Sequence, residues 1–143
     1  MIIKAVFDTN ILVSATFWTG SSFKLVELAD VKKIISILSS ELILEYQRII
    51  NSDEIIEKVE HKKLILSEVV RRVIEQSILV EPNFKLEVVR DDPNDNKVLE
   101  CAKAGKVDFV VTNDNHLLKL KEFEGIRIVT PQEFLELFSN IQR

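Results

Sequence analysis

Ile2-Ile3-Lys4-Ala5-Val6-Phe7-Asp8-Thr9-Asn10 decides the fold. The stretch to Phe7 is apolar, rich in β-branched residues and of strand length. A run that does not alternate with polar residues reads as a strand buried on both faces. Asp8 stops it abruptly. Working outward, Ile34–Leu38, Ile78–Val80, Phe109–Thr112 and Ile126–Val129 repeat the pattern. Between them lie helical spacings: from Ile11, from Ser22 to Ala29 after a break at Gly20, and over Ser40–Asn51 with Leu42, Tyr46 and Ile49 on one stripe. Further helices are predicted over His61–Gln76, Pro93–Ala104 and Pro131–Phe138, with Gly105 as the C-terminal stop of the second. Strands alternating with helices predict an α/β fold, one doubly wound parallel sheet with helices on both faces in a Rossmann-like three-layer arrangement. The 143 residues suffice for one core and are too few for two ordinary ones, so the expectation is a single domain over 1–143.

Composition removes several function classes. The three glycines, Gly20, Gly105 and Gly125, are far apart, so neither G-x-G-x-x-G nor a P-loop can be written with them. One cysteine excludes an intramolecular disulfide, and with two histidines it leaves no zinc-ligand spacing. The expected compartment is reducing and cytoplasmic. No apolar run approaches the roughly 18 residues that a membrane span needs, and Asp8 interrupts what would otherwise resemble a signal peptide. Net charge is -4, with an isoelectric point near 5.3. An acidic chain that binds nucleic acid needs a local basic patch or a bound cation.

Ligands of open α/β sheets sit outside the carboxyl ends of the strands, near a topological switch point. Asp8 follows the first strand directly, and Asp114 follows the Phe109–Thr112 strand after Asn113. Asp95 lines up with Val98, Leu99 and Ala102 on the inward face of its helix, and Glu45 borders the stripe of Leu42 and Tyr46. Each acid also has a purely structural reading. Asp8 with Asn10 would cap the helix at Ile11, Asp92 would be the N-cap of the Pro93 helix with Asp95 in its first turn, and Asn113 or Asp114 would cap the Leu117–Leu118 helix. Glu45 would pair with Arg48. Capping, however, needs no inward-pointing Asp95 or Glu45. Carboxylates sharing one crevice repel unless a cation intervenes. Oxygen ligands without Cys or His select a hard ion, Mg²⁺ or Mn²⁺, which can activate water against a phosphodiester.

Ala5-Val6-Phe7-Asp8-Thr9-Asn10 resembles the opening of a PIN-domain nuclease. Ser40–Ile50 with Glu45 inside, Asp95-Asn96-Lys97-Val98-Leu99-Glu100-Cys101-Ala102, and Val110–Leu118 with Asp114 inside resemble that family's later motifs, in order. Ile128–Leu135 fits its toxin-like, VapC-type branch. The resemblance implies a PIN-like fold and a Mg²⁺- or Mn²⁺-dependent endoribonuclease. It also implies an RNA substrate, an antitoxin protein as partner and a homodimer. Asp8, Glu45, Asp95 and Asp114 carry over as the catalytic and metal-binding acids. Thr9, Asn10 and Thr112 carry over as supporting residues. Asn94 and Asn96 flank Asp95 where the family often has acids, and His116 stands where an acid is common, which bears on a second metal.

His116 reads foremost as a capping or surface residue and secondarily as a phosphate or water contact. Cys101 reads as core, and Phe17 and Trp18 as packing or base-stacking aromatics. Arg48 and Lys97, beside two of the acids, are the first choice for RNA contact, ahead of Lys62, Lys63, Arg71 and Arg72 on the His61 helix. Competing functions are an RNA-processing nuclease without a toxin role and a non-catalytic domain binding RNA or an antitoxin. An aspartyl-phosphate phosphatase would carry an acid where Asn10 stands.

Overall fold

The central strand of the sheet, β1 (Ile3–Phe7), buries both faces: Ala5, Val6 and Phe7 are inaccessible to solvent. A computed structural model describes residues 2–17, 20–52 and 62–141. After β1 come α1 (Thr9–Phe17), α2 (Ser21–Asp30), β2 (Ile34–Ser39), α3 (Ser40–Ile50) and α4 (Lys62–Gln76). The chain continues through β3 (Ile78–Val80), α5 (Asp95–Gly105), β4 (Phe109–Val111), α6 (Asn115–Leu118), β5 (Glu122–Phe123), β6 (Ile126–Val129) and α7 (Pro131–Ile141).

The six strands are ordered β3-β2-β1-β4-β6-β5, and every neighbouring pair is parallel except β5 with β6. This is the three-layer α/β arrangement read from the apolar runs. The α1, α2 and α4 helices pack together on one face, and α5 lies on the other against β1, β2, β3 and β4. On α7, Phe134 meets Phe109 edge-on at a centroid distance of 5.2 Å, which seats the last helix on the sheet. No described helix is long and apolar enough to cross a membrane.

Three local features differ from the sequence expectation. The antiparallel β5 is only two residues long, too short to leave a periodicity signal. It is turned by Glu124 and Gly125, both at positive φ (49° and 84°), as a two-residue hairpin loop requires. Gly105 is not the left-handed stop of α5. It belongs to the helix, and Lys106 takes the left-handed conformation at φ 50°. Glycine is needed at 105 for space, because a Cβ there would stand 2.6 Å from Ile37 Cγ2. Asp92 is not the N-cap of α5 either. Asn94 holds that position, and Asp92 Oδ1 accepts the Asn94 N–H at 3.1 Å in a turn ahead of the helix.

The strand order positions the site. From β1 the chain moves to β2 on one side and later returns to β4 on the other, so the switch point lies between β1 and β4. Their register pairs Phe7 with Val111, and the Asp8 N–H donates to the Val111 carbonyl at 3.0 Å. Asp8 and Thr112 thus emerge side by side at the carboxyl edge.

Candidate metal centre

Thr112 organises the switch point. It is fully buried; its Oγ1 donates to Asp8 Oδ2 at 2.7 Å and accepts the Asp114 N–H at 2.9 Å. One hydroxyl therefore fixes a carboxylate from β1 relative to the backbone that carries another after β4. Asp8 is also buried, and burial is the main influence holding its carboxyl above the ordinary range. The Thr112 bond opposes that rise, while repulsion from Asp114 and Glu45 adds to it. The Asn10 backbone N–H faces the Asp8 carboxylate, with the Asn10 side chain at an exposed position.

Glu45 arrives from α3, a helix started by Ser39, whose Oγ accepts the Leu42 N–H at 3.3 Å. With Leu42 and Tyr46 buried, the preceding turn leaves Glu45 half-buried at the edge of the inward stripe. There its Oε2 accepts from Thr9 Oγ1 at 3.1 Å, rather than from Arg48, which is exposed on the same helix.

Asp95 opens α5 facing inward and is 6% exposed. Its Oδ2 is buried and has no hydrogen-bond partner. Burial above all, followed by repulsion from Asp114, Asp92 and Asp8, pushes its carboxyl up to about 7. A hydrogen bond from its protonated form to Asp114 acts in the same direction. Asp92, Asp95, Asp114 and His116 each present an atom to one space, all within 4.8 Å of one another. Asp114 does cap α6, accepting the His116 N–H at 2.7 Å, so the structural reading of this residue holds beside the functional one. A carboxylate has lone pairs left after one such bond.

This donor set fits a divalent cation. Three carboxylates and an imidazole converge, one oxygen is buried without a hydrogen-bond partner, and Asp95 is held above its normal range by burial and by its carboxylate neighbours. A cation would relieve all of this.

Of the residues singled out from the sequence, Asp95 and Asp114 share this space. Asp8 is linked to it through Thr112 and Glu45 stands near Asp8, but neither is among the four converging residues. Thr112, treated as a lesser support, is the linking hydroxyl. Lys97 is half-buried beside Asp95. Arg71 pairs with Glu68 and Glu75, and Arg72 with Asp30, so these two arginines of α4 are engaged within the protein. The side chains of Phe17, Lys62 and Lys63, and residues Trp18 and His61, lie outside the described residues. Cys101 is core, its thiol pushed up to about 12 by burial.

Asp92, read from the sequence as a helix cap, and His116, read foremost as a capping or surface residue, are the two that the structure adds to the acids. The available signal was the Asp92-Pro93-Asn94-Asp95 turn, which brings the first and last acid together. Asn96, which flanks Asp95 in the sequence, turns its side chain to the segment before the helix. Its Oδ1 accepts the Val88 and Val89 N–H groups at 3.0 and 2.8 Å, and its Nδ2 donates to the Val89 carbonyl at 2.9 Å. One turn on, Glu100 Oε2 accepts the Leu86 N–H at 2.8 Å. Together they strap the segment leading to Asp92 onto α5.

The chain is similar in structure to PAE2754 from Pyrobaculum aerophilum, with a TM-score of 0.63 at 13% identity, covering 96% of this chain and 90% of that one. It is also similar to VapBC2 from Rickettsia felis, solved bound to a promoter DNA fragment. That match has a TM-score of 0.55 at 18% identity, over 88% of this chain and 97% of the other. No curated protein matches it. The PIN domain family model matches residues 4–116, a span that contains β1, β4 and all four inward acids. By that match the chain belongs to the PIN domain family.

Proposed function

We propose that this protein is a divalent-metal-dependent endoribonuclease and the toxin half of a toxin–antitoxin pair. The observation that carries the reading is Asp95 Oδ2, buried and unpartnered among other carboxylates at the sheet's switch point. Asp8, Glu45, Asp95 and Asp114 would hold Mg²⁺ or Mn²⁺. When bound, such an ion polarises a phosphoryl oxygen and lowers the pKa of a water for attack on phosphorus. The chain's own residues supply the preorganisation. Thr112 fixes Asp8 against the Asp114 backbone, Thr9 orients Glu45, and the Asn10 backbone N–H also faces the Asp8 carboxylate. Arg48 and Lys97, next to two of the acids, provide cations for RNA phosphates in an otherwise acidic chain.

The toxin role rests on the family and on the fold shared with the Rickettsia felis VapBC2 protein. It brings an antitoxin protein as partner and a homodimer as the working form. The decisive experiment is cleavage of a labelled single-stranded RNA with Mn²⁺, with Mg²⁺ and with EDTA. It is run on the native protein and on Asp8→Asn and Asp95→Asn variants whose folding is verified by circular dichroism. Activity should need the ion and disappear in both variants. Full activity in EDTA, or in Asp8→Asn, overturns the reading.

A further inference from the structure

The sequence presents the site as oxygen-only, but the folded chain adds a nitrogen. His116 Nδ1 stands 3.6 Å from Asp114 Oδ1 and 3.9 Å from Asp95 Oδ2. Both separations are too long for hydrogen bonds. Donors each about 2.1 Å from one octahedral ion are between about 3.0 and 4.2 Å apart, so both separations suit two ligands flanking a single cation. The space is not merely acidic: Asp95 Oδ2, on a side chain 8% exposed, is buried there without a partner. The His116 backbone N–H meanwhile donates to Asp114 Oδ1 at 2.7 Å, which fixes the residue's backbone beside the carboxylates. Asp92 approaches from the turn before α5, where its Oδ1 accepts the Asn94 N–H at 3.1 Å.

We propose that His116 Nδ1 and Asp92 join Asp95 and Asp114 in a mixed nitrogen–oxygen site that takes a first-row transition dication ahead of Mg²⁺. Mg²⁺ prefers oxygen and retains its water, whereas imidazole favours the transition ions. A neutral imidazole also adds a ligand without adding further negative charge to the crowded carboxylates. This assignment rests on the metal centre of the proposed function and sharpens it by naming the ion class and the ligand that selects it.

The test uses Mn²⁺ and Mg²⁺ alone, without RNA. Calorimetric titration of the native protein, Asp95→Asn and His116→Gln gives affinities for both ions. Electron spin echo spectroscopy of the Mn²⁺-loaded native protein reports directly on a bound nitrogen. His116 is 42% exposed, so its replacement leaves the core untouched. The expected result is ¹⁴N modulation in the native protein that vanishes in His116→Gln. Mn²⁺ affinity should fall about tenfold or more in that variant, with Mg²⁺ affinity changed less than about threefold. Asp95→Asn should weaken both ions. If both ions bind through Asp95 but no ¹⁴N modulation appears, or His116→Gln affects the two equally, the nitrogen assignment falls and the metal centre stands. If His116→Gln tightens both ions, the imidazole is a resident positive charge and the proposal is likewise overturned. If neither ion binds, or Asp95→Asn changes nothing, the metal centre itself fails.

Discussion

Replacing Asp95 by asparagine keeps the shape of the side chain and removes its charge, and in metal-free protein it should raise stability at alkaline pH. The carboxyl titrates at about 7 in the folded chain, against about 3.9 when unfolded. A raised acid contributes its stability in full below about pH 4 and loses it as pH rises through about 7. Across those roughly three pH units, at about 1.4 kcal/mol each, the ceiling is about 4 kcal/mol. Sharing of the proton with Asp114 and relaxation of the crevice bring the expected gain at pH 8 to about 1–3 kcal/mol. Working against it, an acid in the first turn of α5 favours the helix by about 0.3–1 kcal/mol. Urea unfolding of both proteins in EDTA, at steps from pH 5 to pH 8, measures the difference. The variant should already be ahead of the native protein at pH 5, by up to about 1 kcal/mol, and further ahead at pH 8. A variant equal or less stable at pH 8 would show that Asp95 acts as a helix-terminal charge, and the crowding argument would be wrong.

Thr112→Val removes the hydroxyl between Asp8 and the Asp114 N–H at a fully buried position. Urea unfolding at pH 7 should show a loss of about 1–3 kcal/mol. Asn96→Ala leaves two N–H groups and one carbonyl of the strap without partners. The loss should be about 2–4 kcal/mol, with faster hydrogen exchange at Val88 and Val89 than at the sheet amides. Gly105→Ala would gain up to about 1 kcal/mol of helix propensity, but overpacking against the β-branched, buried Ile37 should make it destabilising by about 1–3 kcal/mol in thermal melts.

The strands that build the sheet were legible because parallel strands covered on both faces are nearly all apolar, and Phe109-Val110-Val111 is buried along its whole length. Asp8 and Asp114 were legible for the same reason, as the first acids past such runs. Helical periodicity located Glu45 and Asp95 on inward or bordering positions. What stayed hidden depends on backbone direction rather than on pattern. Asp92 reaches the acids because the chain turns at Pro93 and Asn94, and His116 because Asp114 holds its amide. Neither placement has a period. Asn96 and Glu100 look like ordinary polar helix positions. Their partners, Leu86, Val88 and Val89, lie in a segment with no regular structure, where no spacing announces contact. Gly105 was read as a helix stop, when what matters there is the closeness of Ile37.

The bond between Thr112 and Asp8 spans 104 residues of chain. At synthesis rates of about 5–20 residues per second, Asp8 waits roughly 5–20 seconds before the hydroxyl that orients it exists. Until β4 docks against β1, Asp8 and Glu45 are present without Asp95 and Asp114 beside them. A truncated or half-made chain of this topology therefore holds some of the acids and none of their arrangement. Assembly of the acid cluster is timed by the last strand to reach β1, so its members stay apart for most of the chain's own synthesis.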